Sequence, residues 1–103
     1  MPSLAQLERL LALEPGDAFL LYAVAQEHSK SGDTPAAVEY YDRCLATDPT
    51  YCYAYYHKAR ALLASSKVAQ AAAAADEGIR VAQRTGDGKA LVELTSLRDE
   101  MDV

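Results

Sequence analysis

Apolar positions recur along this chain at helical spacing, and Gly, Pro and Asp interrupt them at intervals. The clearest example runs from Gly32 to Tyr51. Ser31-Gly32-Asp33 is a breaker cluster, and Gly32 tolerates the positive φ that ends a helix. Thr34 is the predicted N-cap. Pro35 then takes the first helical position, where a missing N–H costs nothing. Ala37, Tyr41, Cys44 and Leu45 follow at i, i+4, i+7 and i+8, which is one helical face. Asp48-Pro49 closes the segment, because a residue before proline is pushed out of the α region.

The same reading places five more helices. Leu4, Leu7, Leu10 and Leu11 form the stripe of a helix from about 3 to 13, with Ser3 as its cap. A turn at Pro15-Gly16-Asp17 leads to a helix over about 17–30, with Leu21, Val24, Ala25 and His28 inward. Thr50 or Tyr51 opens a helix to about 64, with Cys52, Tyr55, Ala59 and Leu62 inward. A helix over about 67–84 contains the alanine run 71–75, which has high helix propensity. Gly78 within it costs about 1 kcal/mol relative to alanine, and close approach of a neighbouring helix is the expected compensation. Gly86-Asp87-Gly88 breaks the chain, and Asp87 is placed to cap a last helix over about 88–102. That helix buries Ala90, Leu94, Leu97 and Met101 and keeps Lys89, Glu93, Arg98, Asp99 and Glu100 wet.

These helices carry a period. Glu14-Pro15 and Asp48-Pro49 stand 34 residues apart, and Ala37 and Ala71, or Leu45 and Ile79, repeat the interval. A fixed period of this size is the mark of stacked helical hairpins. An ordinary helix bundle is the alternative all-α reading, but a bundle requires no such period. In Ala18–Tyr51 the small positions are Ala25, Ala37 and Cys44. The large ones are Leu21, Val24, His28 and Tyr41, and Pro49 follows. Cys52–Thr85 offers Ala59, Ala71 and Gly78, then Tyr55, Lys58, Leu62 and Ala75. There Lys58 replaces a large apolar residue, Ser66 the turn glycine and Gln83 the proline. The pattern resembles the tetratricopeptide repeat (TPR) family.

That resemblance implies an all-α, right-handed α-solenoid of about six helices in one domain, 1–103. Its parts are a half-repeat helix (1–17), two repeats (18–51 and 52–85) and a capping helix (86–103). The cap keeps the last apolar surface from water.

Composition narrows the function. The chain has 103 residues, half of them apolar, which suits one folded domain. No apolar run reaches the roughly 18 residues of a membrane span, and the N-terminus does not read as a signal peptide. Two cysteines, Cys44 and Cys52, are too few for a disulfide scaffold, and Cys44 is expected to be buried. These features predict a cytoplasmic setting. Ten basic residues against fifteen acidic give a net charge of −5. Without a basic run, neither nucleic acid nor an anionic membrane surface is an expected partner. The net charge also opposes self-association. Motifs for metal, phosphate or nucleophilic chemistry are missing: there is no H-E-x-x-H, C-x-x-C, P-loop or G-x-S-x-G. His28 and His57 have no carboxylate at triad or ligand spacing. No enzyme, metal or cofactor is expected.

The first helix of each full repeat carries a second stripe. Phe19, Tyr22, Gln26 and Lys30 lie off the core face of one. Tyr53, Tyr56, Arg60 and Leu63 do so on the other, with His57 beside them. The resemblance implies that such positions line a concave groove holding a peptide segment of a partner protein. Aromatics give contact area at low entropic cost, and Arg gives directed hydrogen bonds. The alternative is that these rings pack, or mediate self-association as a monomer–weak homodimer equilibrium through the aromatic or a terminal helix face. One TPR subclass clamps acidic C-termini with Lys and Asn. This chain has no Asn, and Tyr22, Tyr56, Gln26 and Arg60 stand at the corresponding places, so that ligand is not implied.

Overall fold

The computed structural model describes residues 2–103 and contains six α-helices. They are α1 (Leu4–Leu13), α2 (Ala18–Lys30), α3 (Thr34–Thr47), α4 (Cys52–Ala64), α5 (Val68–Thr85) and α6 (Gly88–Asp99). Pro15 and Pro49 both fall outside the helices, as the punctuation requires.

Most helix starts are set by a side chain that accepts an orphan backbone N–H. Ser3 and Gln6 form a reciprocal capping box on α1. Asp17 accepts from the Leu20 N–H on α2, and Asp87 from the Ala90 N–H on α6. On α3 the cap is Asp33, which accepts from Ala36, not Thr34. Pro35 accordingly occupies the second helical position. The reason is reach: the Asp33 carboxylate lies three residues before a free N–H, while the Thr34 hydroxyl contacts that of Ser65 at 2.5 Å. Each such cap contributes about 1 kcal/mol. Neither α4 nor α5 has a side-chain cap. The last helix ends at Asp99 rather than near residue 102, yet Met101 is still buried.

The helices pair as antiparallel hairpins, α2 with α3 and α4 with α5, and α6 closes against α5. One layer holds α2, α4 and α6, where α4 touches both neighbours. The other holds α1, α3 and α5, whose backbones stay further apart, with side chains such as Val38 reaching across. The core lies between the layers. The inward stripes of α2, α3, α4 and α6 are buried as their spacing predicts, apart from half-buried His28 and Leu45. His28 stacks on Tyr40 with ring centroids 5.4 Å apart. On α1 only Leu7 and Leu11 are buried. Leu10 is 46% exposed and does not join the inward stripe as expected, because α1 lies at the end of the stack with α2 as its main partner.

Gly78 explains how α5 sits so close to its neighbours. A Cβ there would lie 2.7 Å from Tyr55 Cβ and 3.0 Å from Leu94 Cδ2. The expected compensation is thus present: the missing side chain lets α4 and α6 meet α5. Across that junction Arg98 Nε donates to Asp76 Oδ1 at 3.0 Å. No helix is long and apolar enough to cross a membrane, among the described residues.

Candidate functional site: an aromatic surface across α2 and α4

The fold sets the second stripes of α2 and α4 side by side. Tyr22 is the hub. Its ring lies 5.0 Å from Tyr51 and 5.7 Å, edge-on, from His57. His57 contacts Tyr56 edge-on at 5.0 Å, and Tyr56 meets Tyr53 at 6.3 Å. Tilted and edge-to-face pairs of this kind each add about 0.5–1.5 kcal/mol beyond area burial. Tyr22, Tyr51, Tyr53, Tyr56 and His57 are all half-buried, so their rings form a surface rather than an interior.

Arg60 caps one end. Its guanidinium stands 5.8 Å from the Tyr56 ring centroid and donates to the Tyr56 hydroxyl at 3.2 Å. Arg60 also borders a cavity of about 190 Å³ floored by Leu63 and Leu97, with Glu100 across from it. Glu93 on α6 approaches the other side. Its carboxylate, within hydrogen-bonding reach, raises the Tyr53 phenol.

Burial controls the titration of the cluster. Desolvation, then the neighbouring Tyr51 phenol, pushes Tyr22 up to about 12. Desolvation and the Arg60 charge hold the His57 imidazole below its usual value. Both groups are therefore neutral at pH 7. The surface offers ring faces and phenol hydroxyls, with one cation at its edge.

The expected site residues divide into two sets. Tyr22, Tyr53, Tyr56, His57 and Arg60 come together. Gln26 is half-buried beneath them and accepts a hydrogen bond from the Tyr41 hydroxyl, so its amide supports the layer below. Lys30 pairs with Glu27 at 3.0 Å, near the end of α2. Phe19 is 62% exposed and faces elsewhere, lining a cavity with Leu10, Leu13 and Leu20. Sequence reasoning missed Tyr51 and Glu93. Tyr51 precedes the first turn of α4, outside any helical stripe. Glu93 read as solvated because the neighbour of α6 was not known.

The fold and this surface define a class: a two-layer stack of antiparallel helix hairpins with an aromatic surface on one layer. A tetratricopeptide repeat domain protein of Salinibacter ruber, solved by crystallography, is 32% identical to the chain. That match covers 82% of this chain and 93% of the other, with a TM-score of 0.73. The chain belongs to the tetratricopeptide repeat family. TPR repeat-containing protein PA0015 of Pseudomonas aeruginosa is 29% identical over 96 residues, 93% of this chain and 91% of that protein. The TPR2B domain of yeast Sti1 shares the fold at a TM-score of 0.86 and 22% identity, over 92% of this chain and 76% of that one. No family model matches the chain.

Proposed function

We propose that this chain is a non-enzymatic interaction module. In this reading it holds a peptide segment of a partner protein against Tyr22, Tyr53, Tyr56, His57 and Arg60. The TPR fold generally mediates protein–protein interaction, and the Sti1 domain was solved as a complex with pHsp70. The observation that carries the reading is the linked, half-exposed ring cluster spanning α2 and α4.

Packing alone requires one apolar stripe per helix, and α2 and α4 bury theirs already. The Tyr22–Tyr51–His57–Tyr56–Tyr53 cluster is held before any ligand arrives, because each of its rings contacts another. A peptide laid across it therefore gains aromatic contact without ordering many side chains. Arg60 would supply a directed donor to a backbone carbonyl or a carboxylate on the peptide. The expected setting is the cytoplasm.

The test is a displayed peptide library selected on the intact protein, repeated with Tyr56→Ala plus Arg60→Ala. Capture by the native surface, lost in the double variant with far-UV dichroism unchanged, is the expected result. Equal capture by both proteins overturns the reading.

A further inference from the structure

We propose that the segment held on the aromatic surface carries a Lys or Arg side chain, and that Glu93 on α6 is the residue that selects it. This rests on the peptide-binding reading above and names the chemistry of the ligand. Helices α4 and α6 both pack on α5 and also touch each other. Each runs antiparallel to α5, so the two run in the same direction and their facing stripes stay in step. Tyr53 has the Glu93 carboxylate within hydrogen-bonding reach. Seven residues further along both helices, Arg60 and Glu100 border the same cavity, with Leu63 and Leu97 beneath them. Tyr53 and Tyr56 pack against the cluster that holds Ala90 and Leu94 of α6. The junction of α4 and α6 therefore has an apolar floor, ring faces on one wall and carboxylates on the other.

The two ends of that junction differ in charge. At one end Arg60 and Glu100 stand across the cavity from each other. At the other Glu93 has no such counterpart. It joins no ion pair among the described residues. Lys89, four residues before it, does not close one, and a Lys ahead of a Glu is the weaker order at that spacing. The ring groups beside Glu93, Tyr53 and His57, are neutral at pH 7. The face of an aromatic ring is itself negative and attracts an ammonium or guanidinium group. Tyr56 already shows this with the Arg60 guanidinium, whereas no cation of the described residues lies over Tyr53. A Lys or Arg arriving on a partner segment meets the Tyr53 ring and the Glu93 carboxylate together. The net charge of −5 favours the same partner, since it draws basic segments toward the chain and speeds their encounter.

A displayed random peptide library, selected in parallel on the native chain, Glu93→Gln and Glu93→Lys, tests this. Far-UV dichroism checks that both variants keep the fold. Peptides recovered on the native chain should show an excess of Lys or Arg at one position over the unselected library. On Glu93→Gln that excess should fall to the library frequency while the apolar positions persist. On Glu93→Lys it should give way to Asp or Glu. A synthetic peptide of the recovered sequence should bind Glu93→Gln roughly tenfold more weakly than the native chain, the scale of one charge-assisted hydrogen bond. The same peptide with its Lys or Arg replaced by Met should bind both proteins alike. Recovered peptides without a basic excess, an acidic excess that would make Arg60 the selector, or a basic excess that Glu93→Gln leaves intact would each overturn the proposal while the peptide reading stands. No capture by the native chain would overturn both.

Discussion

The stretches 18–51 and 52–85 build the same hairpin from different side chains, and the contrast shows what the fold requires. In the first, the helix pair is filled by large groups. Tyr41 is fully buried, with Leu21 and Val24 beside it. In the second, the equivalent of Tyr41 is Ala75, and the equivalent of Cys44 is Gly78. The interior there does not hollow out. Instead α5 draws close to α4, and α6 delivers Leu94 and Leu97 into the space, both buried. Volume is conserved across a hairpin and its neighbour rather than position by position, as the close packing of interiors demands.

The inter-helix turns differ in the same way. Gly32 takes φ +81, which costs glycine nothing. Ser66 holds the matching place in the second hairpin at φ 62, a left-handed conformation that strains any residue with a Cβ. Around it the Lys67 N–H donates to the Leu62 carbonyl at 2.9 Å, closing the helix end despite the strain.

Four substitutions bear on this comparison. The largest effect is expected from Tyr41→Ala, which empties the first hairpin and strips Gln26 of its donor. A loss of about 3–5 kcal/mol is expected, read by denaturant unfolding. A loss near 1 would mean that α3 can draw in as α5 does, and the contrast would disappear. Next is Gly78→Ala. Helix propensity favours alanine by about 1 kcal/mol, but overpacking against a Cβ that cannot rotate away costs about 1–3. A net loss of stability is expected; a gain would show that the α4–α5 approach is slack. The smallest is Ser66→Gly. Relief of about 1–2 kcal/mol of left-handed strain is partly cancelled by the extra freedom glycine has when unfolded. A net gain of a few tenths up to about 1 kcal/mol is expected, with Gly32→Ser losing a similar amount. Equal responses at the two turns sharpen the equivalence of the hairpins.

How much of this was legible in the chain follows from what each position depends on. Helix number and the buried stripes depend on local periodicity, and they were readable: Leu21, Val24, Tyr41, Tyr55, Leu62 and Leu94 all lie where spacing put them. The cap of α3 is Asp33 rather than the predicted Thr34 one residue on, a difference that only the backbone geometry decides. Leu10 was misplaced because its environment depends on how many helices flank α1, and a stripe does not count its neighbours. The groove residues were only half readable for a related reason. Tyr22, Tyr56 and Arg60 share a face by spacing alone. The turn of Gln26 toward Tyr41 and the arrival of Tyr51 and Glu93 are relations between elements, whereas the pairing of Lys30 with Glu27 is an i,i+3 contact within α2.

Cys44 and Cys52, the only two cysteines in the sequence, are both buried and unpaired. Desolvation pushes the Cys44 thiol up to about 11, and the Cys52 thiol is raised as well. A thiol in that condition is inert toward alkylating and oxidising reagents while the helices stay shut. The chain therefore carries its own clock. Modification of Cys44 records an opening of the first hairpin, modification of Cys52 an opening of α4 from α5 and α6, and the two rates report how often each breathes.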